Sequence, residues 1–152
     1  MSRQYILLIA SICIITGLTI LFMLSANKDS IASVTFETTS GEYSFICEIA
    51  DTNESRRRGL LGSDTLNQDE GMFFIYEDAA IRFFTMKNMQ YPLDIIFIAE
   101  NHSVVRVVEA DIGDVSISSF YPAQYVVEIN QGLAAEYGIV EETNVSFFYV
   151  CD

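Results

Sequence analysis

Asp94 is an acid within an otherwise apolar stretch, LDIIFIA, that is typical of a strand covered on both sides. A buried carboxylate is costly unless a donor pairs with it, or its pKa rises until it is neutral. Lys87 and Asn88, in the loop just before this stretch, could supply the donor, as could an arginine from residues 56–58. In one interpretation Asp94, Lys87 and Asn88 line a pocket for a small polar ligand. In the other, Asp94 accepts backbone N–H groups of the loop at 86–92 and fixes its shape.

Glu128 is a second candidate acid. It lies within the segment YVVEI, where period-two alternation places it on the face opposite to the tyrosine and the isoleucine. That face is either solvated or brings Glu128 near Asp94. Two carboxylates across a cleft could carry out general acid–base chemistry such as glycoside hydrolysis, with Lys87 as an electrostatic donor.

Arg56, Arg57 and Arg58 form the only cluster of basic residues. Three successive residues of a helix point in different directions, so we do not expect all three to serve one site. They could pair with nearby acids, with one arginine bracing the rim of the core. Alternatively an arginine captures a carboxylate or phosphate group of a ligand, and Arg58 is our candidate for that role.

Cys47 and Cys151 are the two cysteines outside the N-terminal apolar stretch. An oxidising compartment would allow them to pair, and closing a loop of about 100 residues would add roughly 4–5 kcal/mol of stability in the chain-entropy model. The alternative is that Cys47 is a small buried apolar side chain. Three cysteines and one histidine do not make a zinc ribbon or finger, and we predict neither a metal nor another cofactor.

Composition restricts the class of protein. The 152 residues allow one domain with an appendage, and an apolar fraction of 51% excludes a disordered chain. The formal net charge of −13 opposes binding to a phosphate backbone, so we expect no nucleic-acid partner.

Residues 5–24 form an uncharged stretch of 20 residues, long enough to span a bilayer as a helix. The apolar region of a cleaved signal peptide is shorter, about 7 to 15 residues, so we favour an uncleaved anchor over cleavage. Arg3 precedes the stretch, which by the positive-inside rule places residues 1–4 in the cytoplasm. We therefore expect a single-pass membrane protein whose folded domain lies outside the cytoplasm.

The rest of the chain is predicted to be a short polar linker, residues 25–33, and a β domain, residues 34–152. Period-two alternation, as in YSFICEI, marks strands that are separated by turn signals. About eight strands and two short helices can be distinguished in this way. They predict a mainly β fold, a small single-domain sandwich or part-closed barrel with one or two short helices, behind the N-terminal transmembrane helix.

Three stretches form an ordered series of motifs: EIADTNESRRRGLLGSDTLNQDEGMFF, FTMKNMQYPLDIIFI and PAQYVVEINQGLAAEYGI. As a set they resemble the domain of unknown function 192 family, also called the COG1430 group, over about residues 43–147. The resemblance implies a small, mainly β single domain, often placed behind a signal peptide or membrane helix. It implies no activity, because the family has no settled biochemical function.

The chain departs from that family at three positions. The family typically has Trp before the Met-Lys-Asn box, Thr after it, and often Met within the arginine–glycine–leucine box. This chain has Thr85, Met89 and Leu61 there. The loss of a tryptophan removes a large stacking face, so a pocket here should differ from that of relatives.

We therefore predict a membrane-anchored, extracytoplasmic domain that binds a small polar or carbohydrate-like ligand or a partner protein. The candidate ligand-binding residues are Asp94, Lys87, Asn88, Arg58 and Glu128. Two alternatives stay open: a hydrolase that uses Asp94 and Glu128 as a carboxylate pair, and a purely structural domain. No nucleophile–base constellation is visible, so we assign no enzymatic activity.

Overall fold

The computed structural model describes residues 30–150, which form nine strands and two short helices. The mainly β class that we predicted is confirmed. The elements are β1 (Ile31–Thr38), β2 (Gly41–Ala50), α1 (Asn53–Arg58), β3 (Glu70–Ala80), β4 (Phe83–Phe84), β5 (Leu93–Ile98), β6 (Val104–Ala110), β7 (Ile117–Ser118), β8 (Ala123–Asn130), α2 (Leu133–Tyr137) and β9 (Asn144–Val150).

Seven strands form one sheet in the order β6-β5-β8-β3-β2-β1-β9, and β4 pairs with β7 in a separate two-stranded sheet. Neighbours in the large sheet are antiparallel except for the parallel pair β2 and β3. An isolated bridge joins Ser103, just before β6, to Asn144, at the start of β9, so the two edge strands approach each other at one end. We expected a sandwich or a part-closed barrel; the described strands form a large sheet that is not closed, with a small sheet beside it.

Both faces of the large sheet carry apolar side chains, because alternate residues of a strand point to opposite faces. On the first face, Phe45 and Phe73 are buried together with Leu133 of α2. On the second face, Phe74 is buried together with Leu60, which follows α1. Since β5 is buried along its whole length, it is covered on both sides, as its sequence predicted.

The domain begins earlier than we predicted. β1 starts at Ile31, so residues 31–33, which we had assigned to the linker at 25–33, belong to the sheet. Ala32 is fully buried and lies opposite Cys47 in the antiparallel pairing of β1 with β2. Small and polar residues resemble a linker in sequence, but here their backbone is paired and their size suits close packing.

The predicted cytoplasmic residues 1–4, the predicted anchor at residues 5–24 and most of the linker lie outside the described residues. Within residues 30–150, no helix is long and apolar enough to cross a membrane. The prediction of an N-terminal anchor therefore stays a prediction.

Candidate functional site

Asp94 is fully buried in β5, and its carboxylate binds the start of α2. Its Oδ2 accepts a hydrogen bond of 2.8 Å from the backbone N–H of Ala134, in the first turn of that helix. The residue before the helix, Gly132, has no side chain to satisfy the free N–H groups, so Asp94 does so from another element. Burial raises the pKa of Asp94, and the N–H groups of Ala134 and Gly132 oppose this rise.

This geometry corrects our prediction for the partner of Asp94. Lys87 and Asn88 are exposed. Among residues 30–150, the hydrogen bond to the carboxylate comes from Ala134, and not from the loop at 86–92 or from an arginine. The Oδ1 atom is buried without a hydrogen-bond partner in the same part of the chain. Asp94 therefore helps to attach α2 to the sheet.

Asp94 and Glu128 lie on opposite faces of the sheet. In the antiparallel pairing of β5 with β8, Asp94 is opposite Ile129, and Ile95 is opposite Glu128. Directly paired residues share a face, and successive residues of a strand alternate between faces. We had considered a hydrolase in which Asp94 and Glu128 act as a carboxylate pair. That prediction is wrong, because the sheet separates the two side chains.

A cavity of about 410 Å³ opens on the second face of the sheet, on the side of Glu128. This cavity, here called the arginine cavity, brings together three of the five candidates: Arg58 of α1, Lys87 of the segment after β4, and Glu128 of β8. Asp94 and Asn88 do not line it. The other lining residues are Asn53, Arg56, Arg57, Gly59, Leu60, Leu61, Phe74, Tyr76, Phe83, Phe84, Thr85, Met86 and Met89.

The helix α1 places all three arginines at the wall of the arginine cavity. It begins with a capping box, in which Thr52 Oγ1 accepts the Ser55 N–H and Ser55 Oγ accepts the Thr52 N–H, each at 3.0 Å. It ends at Gly59, whose φ of 50° is unfavourable for residues with a Cβ. All three arginines border the cavity because the helix has only six residues and all of them lie in its last turn. Our expectation that they do not all serve one site stays a prediction, because a shared wall does not show that all three bind one ligand.

The three arginines are held differently. Arg56 is half-buried and donates hydrogen bonds to the carbonyl oxygen of Ile75 at 2.7 Å and to Oδ1 of Asn53 at 3.0 Å. Arg57 and Arg58 are exposed, and their side chains make no hydrogen bond or ion pair with other residues in the described part of the chain. Arg56 therefore braces the rim of the core, whereas the side chains of Arg57 and Arg58 are at the cavity and are not held by hydrogen bonds of this kind.

Lys87 reaches the arginine cavity from a segment that a neighbouring turn holds in place. Met86 donates its N–H to the carbonyl oxygen of Asp114 at 2.8 Å, and the Met86 carbonyl accepts the Gly113 N–H at 3.1 Å. The Lys87 N–H donates to Thr85 Oγ1 at 3.2 Å. Since the Met86 side chain is also buried, the position of this segment is fixed beside the cavity.

Glu128 is the acid of the arginine cavity, and only 6% of its surface is exposed. Burial raises the pKa of Glu128 to about 8. The carboxyl group is therefore mostly protonated at neutral pH and can donate as well as accept a hydrogen bond. We had considered a solvated face for this residue, and that alternative is wrong because the residue is buried.

Two aromatic residues of the cavity were not among our candidates. The ring of Tyr76 lies against two guanidinium groups, with its centroid 4.9 Å from Cζ of Arg56 and 3.8 Å from Cζ of Arg82. Phe83 lines the cavity and is 70% exposed. The sequence contained a sign of this exposed ring: adjacent residues of a strand point to opposite sides, so Phe83 and Phe84 cannot both pack on the same face.

The three positions at which the chain departs from the family that it resembles, Thr85, Met89 and Leu61, all line the arginine cavity. The expected difference from the pockets of relatives therefore concerns this cavity. A second depression of about 470 Å³ adjoins it along residues 58–61. Its lining includes two acids, Glu48 and Glu70, for a single cation, so it lacks the concentrated positive charge of the arginine cavity.

Cys47 is fully buried, and it has no disulfide partner among residues 30–150. Burial raises the pKa of the thiol to about 12. Its Sγ lies 3.8 Å from the carbonyl oxygen of Phe45, to which it donates a weak hydrogen bond. Cys151, the predicted disulfide partner, lies outside the described residues, so the pairing stays a prediction.

Comparison with known proteins identifies relatives that match most of the described domain. A family model described as "Uncharacterized ACR, COG1430" matches residues 35–147. The fold is similar to that of a protein of unknown function from Novosphingobium aromaticivorans DSM 12444, with 33% sequence identity and a TM-score of 0.73 over 76% of this chain and 84% of that chain.

A second similar structure is described as a "putative transcription regulator" from Sinorhizobium meliloti 1021. It is 25% identical, with a TM-score of 0.75 over 80% of this chain and 98% of that chain. The comparison with curated proteins found no match. The match of the family model to most of the chain confirms the resemblance seen in its motifs, and the chain belongs to the DUF192 family.

Proposed function

We propose that this chain is a membrane-anchored, extracytoplasmic domain that binds a small polar ligand in the arginine cavity. One observation carries the ligand-binding part: Arg58, Lys87 and Glu128, far apart in the sequence, line the same cavity. Its volume of about 410 Å³ is within the range of small-molecule sites, about 300 to 1,000 Å³. Apolar walls that carry a few polar groups are typical of such sites.

The concave shape favours a small molecule over a partner protein. A carbohydrate-like ligand could stack on Phe83 and exchange hydrogen bonds with Lys87 and the protonated Glu128. A purely structural role gives no reason for exposed cations to converge on one cavity. A hydrolase that pairs Asp94 with Glu128 is not proposed, because the sheet separates the two acids.

The anchoring part of the proposal rests on the uncharged apolar stretch at residues 5–24, with the β domain outside the cytoplasm. For the fold, we favour a part-closed barrel over a sandwich, because the edge strands of the large sheet approach each other at the Ser103–Asn144 bridge. The regulator description of the Sinorhizobium relative is not extended to this chain, because a net charge of −13 opposes contact with a phosphate backbone.

Ligand binding can be tested by titrating the full chain, in detergent micelles, with glucose, acetate and inorganic phosphate in turn. Amide signals in ¹⁵N–¹H correlation spectra report where each probe binds. We expect at least one probe to shift the signals of residues that line the arginine cavity, and the Lys87→Ala variant to weaken this binding. Gln90→Ala is the matched control, because Gln90 is exposed in the same loop and does not line the cavity. Shifts that map elsewhere would overturn the proposal, as would the absence of binding by these three probes and by the aromatic anions used below.

Anchoring can be tested separately by expressing the full chain in bacteria and washing the membranes with alkaline carbonate. We expect the chain to stay in the membrane pellet, and protease added to intact spheroplasts to digest the β domain. Release by carbonate would contradict the anchor. Protection from the protease would contradict the orientation.

A further inference from the structure

The charged residues of the described domain are distributed unevenly. Residues 30–150 contain six lysines and arginines and 19 aspartates and glutamates. Four of the six cations, Arg56, Arg57, Arg58 and Lys87, line the arginine cavity together with a single acid, Glu128. The cavity therefore concentrates positive charge in a strongly acidic domain, and such a site attracts anions.

We propose that the ligand of the arginine cavity is a small amphipathic anion, with a carboxylate or phosphate head group bound by the cations and an apolar body bound by the aromatic and aliphatic side chains. This inference rests on the proposed function and narrows it to one class of ligand. A neutral sugar in the cavity would satisfy the proposed function and contradict this inference.

The head group has suitable donors. Arg57 and Arg58 are exposed at the cavity, and a guanidinium group can bind a carboxylate or phosphate through two parallel hydrogen bonds. Arg56 is already bound to backbone and side-chain oxygens, so it contributes positive charge at a fixed position. Lys87 adds a fourth cation from a different segment of the chain.

The apolar body has a suitable surface beside the cations. Phe83 is 70% exposed and Leu61 is 43% exposed, and both line the cavity together with Met89. A bare inorganic ion would leave this surface in contact with water. A ligand with an aromatic or aliphatic body would cover it, and burial of apolar area would add to the affinity.

The single acid of the cavity does not oppose an anion at neutral pH. The titratable and charged groups that line the cavity with Glu128 are the three arginines of α1, Tyr76 of β3 and Lys87, and burial is the cause of the raised pKa of Glu128. The residues directly opposite it in the sheet, Met72 and Ile95, are apolar. Burial raises the pKa of Glu128 to about 8, so the carboxyl group is protonated at neutral pH and carries a like charge only above that pH. Anion binding should therefore weaken as Glu128 ionises.

Isothermal titration calorimetry on the full chain in detergent micelles tests the ligand class with four probes. Benzoate and phenyl phosphate carry both a head group and a ring, inorganic phosphate carries only the head group, and benzamide carries the ring without a charge. We expect benzoate or phenyl phosphate to bind about ten-fold more tightly than either single-feature probe. If benzamide binds as tightly as benzoate, or phosphate as tightly as phenyl phosphate, the inference is overturned while the proposed function survives. Absence of binding by all four overturns the inference, and the glucose and acetate titrations then decide the proposed function.

A charge-matched pair of variants tests the site. Arg58→Gln should weaken binding of the charged probes about ten-fold, because a hydrogen bond to a charged group is lost. Thr39→Glu changes the net charge by the same amount in the exposed turn between β1 and β2, and should leave binding unchanged. Equal weakening by both variants would mean that the attraction is a property of the whole surface, and would overturn the inference.

A pH profile tests the part assigned to Glu128. If the anion binds only when this carboxyl group is protonated, benzoate should bind the wild type about ten-fold less tightly at pH 9 than at pH 7, given a pKa of about 8. Glu128→Gln carries no charge and should bind benzoate equally at both pH values. Identical profiles for the wild type and the variant would overturn this assignment.

Discussion

Replacement of Glu128 by glutamine should remove a large pH dependence of stability. Burial raises the pKa of this group from 4.5 to about 8, so between these values the native state holds a proton that the unfolded chain has released. The free energy of unfolding of the wild type therefore falls as the pH rises through this interval. Glutamine has nearly the same shape and no charge, so Glu128→Gln lacks this loss.

The size of this stability difference follows from the gap between the pKa values of Glu128 in the unfolded and native states, and from the burial of the residue. Each pH unit of difference between the two pKa values corresponds to about 1.4 kcal/mol, which gives about 5 kcal/mol between 4.5 and about 8. Screening by solvent reduces this free energy only slightly, because only 6% of Glu128 is exposed. Burial also raises the pKa of Asp94, so its ionisation likewise lowers the free energy of unfolding as the pH rises. This contribution is the same in the wild type and in Glu128→Gln, and it cancels in the difference between them. Relative to the wild type, the variant should gain about 5 kcal/mol between pH 4 and pH 8 and nothing further above that.

The assay is urea unfolding of the full chain in detergent micelles, followed by far-UV circular dichroism because the chain has no tryptophan. The matched control is Glu37→Gln, since Glu37 is exposed on the same sheet. We expect the control to differ from the wild type by about 0.5 kcal/mol or less at every pH. A stability difference for Glu128→Gln that does not change with pH would refute the reasoning.

Three further outcomes can be measured on the same full chain. Gly71→Ala should lower the free energy of unfolding by about 1–3 kcal/mol, because an added Cβ would lie 2.7 Å from a backbone carbonyl oxygen of β8 and 3.0 Å from Sγ of Cys47; an unchanged urea midpoint would contradict this. Asp94→Ala should lower the free energy of unfolding by about 1–3 kcal/mol, because it leaves the buried N–H of Ala134 unpaired. Asp94→Asn should lower it less, because asparagine keeps an acceptor. Equal losses for the two variants in urea unfolding would count against that hydrogen bond. Cys47 should resist iodoacetamide in the native protein, because it is fully buried and its pKa is raised to about 12. Rapid labelling in peptide mass mapping would contradict the burial, and mapping with and without reductant would show whether Cys47 pairs with Cys151.

Local patterns in the sequence were sufficient for the class of fold. Period-two alternation and the apolar run around Asp94 predicted strands, and β5 is indeed buried on both faces. The start of β1 was missed, because Ala32 and Ser33 are small, follow a polar stretch, and reach the sheet only through pairing with β2. Strand pairing joins residues distant in sequence, so it leaves no local pattern to read.

The site was predicted only in part. Arg58, Lys87 and Glu128 were chosen for their residue types, and the structure brings them to one cavity. Asp94 was correctly expected to be buried and to need a donor, but the donor is Ala134, at a helix start that lies 40 residues along the chain. A backbone N–H belongs to every residue except proline, so no residue type marks it as the partner.

What the sequence determined by itself was the chemistry that each segment carries: an acid in an apolar strand, a basic cluster in a short helix, strands rather than long helices in the β domain, and membership of the family. What only the tertiary structure decided was which of these groups meet. Because Glu128 of β8 is opposite Ile95 and not opposite Asp94 of β5, Glu128 lies on the face of the arginine cavity, while Asp94 lies on the other face and binds α2. The order of the strands and the side to which each helix packs depend on the sum of many distant contacts, and the same local patterns are compatible with several such arrangements.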